Sequence, residues 1–154
     1  MRIELIAVGR LGRAPEPTLA LDYAARATAA GRSLGLGPVE VVEVDSRKPG
    51  REAEALALAD HLAPGHIVCC DEHGQALTSR ALATRIGRLR DDGVRRLCFI
   101  IGGADGLAPT VLERAHERLA FGPQTWPHAL VRVMLAEQVY RAVTILAGSP
   151  YHRD

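Results

Sequence analysis

Short apolar runs rich in β-branched residues alternate along the chain with segments of helical periodicity. Arg2–Val8 (RIELIAV), Val39–Val44 (VEVVEV), His66–Asp71 (HIVCCD) and Arg96–Ile101 (RLCFII) read as strands. Between them, Glu16–Ala30, Arg51–Leu62 and Ser79–Asp92 read as helices. The first carries Pro17 near its start, where the missing N–H costs no helical hydrogen bond. The third opens on Thr78 or Ser79 as N-cap and stops at Gly93. After the fourth strand the pattern gives a helix over Pro109–Leu119, a short strand or extended loop within Ala120–Trp126, and the longest helix, His128–Leu146. Strands that alternate with helices predict βαβ units, hence an α/β fold with a mainly parallel sheet flanked by helices. VVEV, HIVCC and LCFII are apolar at nearly every position, as in strands covered on both faces. There is no repeat and no linker, and Gly31–Pro38 reads as a loop, so residues 1–154 are expected to form a single domain.

Composition narrows the class. The 154 residues are 47% hydrophobic and 24% charged, which excludes a disordered chain, a collagen-like chain and a disulfide scaffold. No apolar run reaches the ~18 residues that span a bilayer. Met1–Val8 lacks the apolar length and cleavage site of a signal peptide, so a cytoplasmic protein without membrane contact is expected. Net charge is +1, but residues 1–77 carry 8 basic and 11 acidic side chains against 11 and 7 in residues 78–154. All but one of the 19 basic residues are Arg, the side chain that grips phosphate in a bidentate fork; GC-rich codon usage gives the same bias. Arg80, Arg85, Arg88 and Arg90, followed by Arg95 and Arg96, form either a footprint for a nucleic-acid backbone or a solvated helix face.

Cys69, Cys70 and Cys98 are odd in number, form no CxxC, and lie in strand segments, where free Cys acts as a small hydrophobe. His61, His66 and His73 do not stand at a metal-ligand spacing, and no metal is expected.

Four segments can carry chemistry. In CFIIGGADGLA a buried strand ends at Ile101, Gly102, Gly103 and Gly106 follow, and Pro109 opens a helix. Ligands of open α/β sheets bind at such strand ends, where glycines let the backbone approach closely. The spacing is GGxxG rather than GxGxxG, so it marks a ligand turn or a plain tight turn. A side chain at Gly102, as in Gly102→Val, is expected to occupy space the backbone leaves for a ligand. Gly122–His128 (GPQTWPH) is a loop stiffened by two prolines, able to wrap a flat ring with backbone groups or simply to lead into the last helix. His128–Leu146 has a broad apolar stripe, with Val133, Tyr140 and Ile145 outside it, which suggests burial against a second subunit as well as the sheet. The tail SPYHRD packs an aromatic ring, an imidazole and a guanidinium into Tyr151–Arg153, types that stack on bases and grip phosphate, although tails are ordinarily solvated.

Taken together, IIGGADGL, TWPHALVRVMLAEQVYRA and the terminal SPYHR resemble the RlmH (YbeA) family of SPOUT-class methyltransferases. The resemblance runs from MRIELIAVG to the tail and is most specific in the second half. It implies a deep trefoil knot on the C-terminal side, against the general rule for chain topology. It implies S-adenosylmethionine as methyl donor and N3 of a pseudouridine in helix 69 of 23S rRNA, in the ribosome, as acceptor. It further implies a homodimer through the last helix with a site completed by both subunits. Carried over by motif, cofactor contacts fall on Cys70, Gly102 and Gly103, and on Phe121, Gly122, Pro123, Gln124, Thr125 and Trp126. The family commonly has an aliphatic residue at Cys70 and often a leucine at Trp126, which backbone contacts would tolerate. EHGQA at 72–76 lacks the family's frequent Gly-Lys pair. The catalytic group would be Tyr151 as a stacking partner with His152 or Arg153 as base, orienter or anion stabiliser; Glu137 is a further candidate base, with Arg141 as its helical partner. A non-catalytic nucleotide-binding or ribosome-associated dimeric module is the alternative.

Overall fold

The computed structural model describes every residue except Ala63 and Asp154, so the last residue of SPYHRD lies outside the described residues. Five strands form one sheet: β1 (Arg2–Val8), β2 (Val39–Val44), β3 (His66–Ala76), β4 (Arg96–Ile101) and β5 (Glu117–Ala120). Their order is β2-β1-β4-β3-β5 and every pairing is parallel. All strands therefore start at one edge of the sheet and end at the other.

Four helices connect them, α1 (Pro15–Gly31), α2 (Arg51–Leu58), α3 (Ser79–Asp91) and α4 (Pro109–Leu112), and α5 (His128–Leu146) follows the last strand. Strand residues alternate between two cores. Ile3, Leu5, Leu97, Phe99 and Val68 face a layer made by α1, α3 and α5. Ile6, Val8, Ile67, Cys69, Cys98 and Ile100 face α2 and α4. Both faces are covered, as the uninterrupted apolar runs require. α5 lies between α1 and α3 and buries Leu135, Ala136, Val139, Ala142 and Val143. Thr78 caps α3, its hydroxyl accepting the Ala81 N–H at 3.1 Å.

Four elements differ from the sequence expectation. The helix expected over Pro109–Leu119 is a single turn, Pro109–Leu112. The open edge of β3 wins the chain back: His116 N–H donates to Ile67 O at 2.9 Å, and Glu117–Ala120 becomes the fifth strand, placing it before Phe121 instead of within Ala120–Trp126. The helix expected to run to Leu62 is α-helical only to Leu58 and tightens into a 3₁₀ turn over Ala59–Leu62. β3 runs past Asp71 to Ala76, with its register against β5 broken between Cys70 and Gln75. Gly74 sits in that bulge; a Cβ there would lie 2.7 Å from the Arg118 carbonyl carbon, so no larger residue fits without displacing β5.

Candidate functional site

Where β3, β4 and β5 end, their loops enclose a cleft of about 580 Å³, a volume suited to a nucleotide-sized molecule. β3 contributes Cys70 and the bulge residues Asp71, Glu72 and His73. β4 contributes the turn from Gly102 to Leu107, and the loop after β5 contributes Phe121, Gly122, Gln124, Thr125 and Trp126. His128 and Val131 at the start of α5 and Arg51 at the start of α2 complete the wall. Eight of the nine cofactor positions expected from sequence thus meet at one place; Pro123 is exposed and is not part of the wall.

The glycine turn closes on itself. Gly106, at φ +75°, donates its N–H to Gly103 O at 3.1 Å. Gly102 is buried, and a Cβ on it would lie 2.9 Å from the Gly106 carbonyl carbon. The expectation for Gly102→Val is therefore corrected: the added side chain collides first with the turn's own backbone. Gly103 has both backbone groups engaged, since its N–H donates to Glu54 Oε2 at 3.2 Å. It shapes the wall without a spare donor.

The opposite wall is also held from within. Pro123 and Pro127 stiffen it, Gly122 turns it at φ +98°, and the Trp126 indole N–H donates to Phe121 O at 3.2 Å. Trp126 is 40% exposed, so part of it remains accessible to a ligand or to water. Burial pushes the Cys70 thiol up, Cys69 to about 12 and Cys98 to about 11. All three are free and remain neutral thiols, which makes them packing groups rather than nucleophiles.

The tail lies elsewhere. Tyr151 OH donates to Glu137 Oε1 at 3.0 Å, its ring centre is 4.7 Å from that of Tyr140, and the Arg141 guanidinium stands 4.9 Å over it. Arg141 Nη1 donates to His152 Nδ1 at 3.3 Å, so in the neutral ring the proton sits on Nε2. Burial, with the Glu137 hydrogen bond, pushes the Tyr151 phenol up to about 12. Glu137 also accepts from Arg141 on Oε1 and from Gln138 on Oε2, the latter at 2.8 Å, so Oε1 is shared by Tyr151 and Arg141. Among the described residues, none of the tail lines the cleft. Glu137 is nine residues beyond His128, roughly 14 Å along the helix axis. One copy of the chain therefore does not bring Tyr151, His152 and Arg153 to the cleft.

Of the six arginines, Arg80, Arg85, Arg88 and Arg95 are exposed. Arg85 Nε bonds both Glu117 oxygens at 2.9 Å, Arg90 bonds Asp91 and Leu34 O, and Arg96 bonds Glu4, so part of this basic set is held in internal ion pairs. Sequence reasoning missed Arg132. It is buried in α5, donates to Val8 O at 2.5 Å and to Gly9 O at 2.9 Å, and pairs with Glu43 at 3.1 Å. It ties α5 to the ends of β1 and β2, and burial lowers its pKa. The available signal was a charge set among Leu130, Val131, Val133 and Met134 of α5, three positions before Leu135.

Comparison with known proteins places this architecture. A family model described as "Predicted SPOUT methyltransferase" matches residues 1–152. The chain is 67% identical to ribosomal RNA large subunit methyltransferase H of Caulobacter sp. (strain K31), over 100% of both chains. It is 68% identical to the protein of the same name from Phenylobacterium zucineum (strain HLK1), again over 100% of both. Among solved structures, a probable methyltransferase from Bordetella pertussis Tohama I superposes with a TM-score of 0.56 at 22% identity, covering 92% of this chain and 96% of that one. A probable methylase family protein from Haemophilus influenzae Rd KW20 gives 0.53 at 15% identity, covering 99% and 70%. These two likenesses concern the fold.

Proposed function

The chain belongs to the SPOUT methyltransferase family, among the large subunit methyltransferase H proteins, and from that premise we propose that it methylates N3 of a pseudouridine in helix 69 of 23S rRNA, with S-adenosylmethionine as donor. The observation that carries the reading is the convergence of Cys70, the 102–107 turn and the 121–126 loop on one cleft. We read residues 1–154 as one cytoplasmic methyltransferase domain, knotted on its C-terminal side.

The cleft fits the donor chemically. Ile101, Leu107, Leu119 and Val131 give it apolar walls for an adenine ring, and its loops present backbone polar groups. Asp71, Glu72 and Asp105 offer negative charge to a ligand that carries ammonium and sulfonium groups. When bound, the donor supplies an activated methyl group, and the rest is positioning. Phe121, Gly122, Gln124, Thr125 and Trp126 would hold one side of it, Gly102 and Gly103 the other, with Cys70 beneath.

Methylation of an imide nitrogen requires its proton to leave. Tyr151 is protonated at neutral pH, His152 presents Nε2–H, and Glu137 is occupied by three donors. The tail thus offers donors rather than a base. In this reading Tyr151 stacks on the target base while His152 and Arg153 stabilise the negative charge that develops as the N3 proton passes to solvent. Because one chain keeps tail and cleft apart, the site is completed by the tail of a second copy, and the two copies pair through α5. Val133, Tyr140 and Ile145 are half-buried on that helix, and Leu130 is 41% exposed.

Mass spectrometry of the helix 69 fragment, from ribosomes of cells with and without this protein, tests the reading. The methyl group is expected only with the protein present. Its presence in both samples refutes the assignment, and donor binding without any methylation supports the non-catalytic module.

A further inference from the structure

α2 reaches the cleft only through Arg51, yet two of its side chains hold the glycine turn from behind. Arg51 Nε donates to Asp105 O at 2.5 Å, and Glu54 Oε2 accepts the Gly103 N–H at 3.2 Å. The two residues are three apart and so share one face of the helix. The Glu54 carboxylate fills the space a side chain at Gly103 would take: a Cβ there would lie 2.5 Å from Oε1. Both anchors grip backbone atoms of the turn, and Glu54 itself is absent from the cleft wall. A turn with three glycines has many accessible conformations. Beside the turn's own Gly106–Gly103 bond, these two side-chain bonds from α2, to the Asp105 carbonyl and the Gly103 N–H, hold the conformation that forms the wall.

We propose that Glu54 is a positioning residue for methyl transfer, acting through Gly103 with Arg51 as the second anchor, so that α2 sets the shape in which the glycine turn receives the donor. The proposal rests on the reading of the cleft as the donor site. Charge is not what the brace requires; an acceptor oxygen at this position is. Glu54→Gln keeps that oxygen and Glu54→Ala removes it.

The test uses the full chain, with S-adenosylhomocysteine as the calorimetric probe and amide hydrogen exchange at Gly103 measured without ligand. Glu54→Ala is expected to weaken binding about tenfold or more, equivalent to at least ~1.4 kcal/mol. It should speed exchange at the Gly103 amide and raise the donor KM while kcat at saturating donor stays within about twofold. Glu54→Gln is expected within about threefold of wild type on affinity, with the Gly103 amide still protected. A folded Glu54→Ala protein with wild-type affinity overturns the proposal, and so does equal loss in the two variants. If wild type itself does not bind the probe, the donor reading fails, and the exchange rates alone judge the brace: unchanged exchange in Glu54→Ala refutes it.

Discussion

At the edge of the sheet where the strands begin, charged side chains close on one another; at the edge where they end, loops stand apart around a cleft. β1, β4, β3 and β5 open with Arg2, Arg96, His66 and Glu117. Glu4, 6% exposed, accepts from Arg96 Nη2 at 2.6 Å and pairs with Arg2 at 3.0 Å. Glu117 joins His66 to Arg85, and His116 Nδ1 accepts the Ile67 N–H at 3.0 Å with its ring 4.7 Å from that of His66. The other edge has carboxylates at Asp71, Glu72 and Asp105 and a turn of three glycines. β3, β4 and β5 thus carry two kinds of end: at their start charges pair internally, at their finish groups around the cleft are left available and braced from outside, while beside them Arg132 and Glu43 tie off the ends of β1 and β2. Changes at the first edge should act on stability alone, and changes at the second on ligand and reaction alone.

The largest expected effect probes whether the cleft edge is complete within one copy. A truncation after Pro150 should still fold, with some loss of stability from the Tyr151 contacts to Tyr140, Glu137 and Arg141, bind S-adenosylmethionine as wild type does, and fail to methylate ribosomes, because it removes the groups assigned to the target base. Methylation at the wild-type rate would mean the cleft acts alone. Arg153→Ala is the milder form: loss of one charge-assisted contact, about 1.5–3 kcal/mol, corresponds to roughly 10–150-fold in rate if the contact is made mainly in the transition state. Single-turnover methylation of purified ribosomes reads it.

Glu4→Ala attacks the opposite edge. It removes the acceptor shared by Arg2 and Arg96 beside Cys98. The expected cost is about 1.5–3 kcal/mol of folding stability, seen as an unfolding midpoint lower by several degrees in calorimetry. Donor affinity of the folded variant should be unchanged. A variant that loses affinity instead would show that the two edges are coupled through β1 and β4.

These contrasts were unequally visible in the sequence. Strand runs such as RLCFII and the 3.6-residue pattern of His128–Leu146 are local signals, and their bounds match the observed elements. Pro109–Leu119 failed because ERLA has no strong local preference; its conformation is decided by the open edge of β3, a partner distant in sequence. The cleft residues were legible as glycines and prolines at strand ends, and by resemblance. Glu54, Asp71 and Arg132 were not, since each is an ordinary charged residue until the fold sets it against Gly103, the cleft or Val8. The ion-paired edge was equally hidden: Glu4 and Arg96 are 92 positions apart and meet only because β1 lies beside β4.

The smallest effect sharpens what holds the cleft edge. Trp126→Phe keeps an aromatic ring on the wall and removes the N–H that donates to Phe121 O, together with part of the indole's area. A neutral hydrogen bond of this kind contributes about 0.5–1.5 kcal/mol net, and at 40% exposure water competes for both partners, so the lower half of that range applies. The loop is also restrained by Pro123 and Pro127, which fix φ whether or not the indole is present. S-adenosylhomocysteine affinity should therefore fall by about 2- to 5-fold, with the unfolding midpoint unmoved. A loss of a hundredfold would mean that the indole contacts the donor directly, and the wall would then act through a side chain that leucine cannot replace. No loss at all would mean that the prolines suffice, leaving the Glu54 contact to the Gly103 amide as the bond that matters for the shape of this edge.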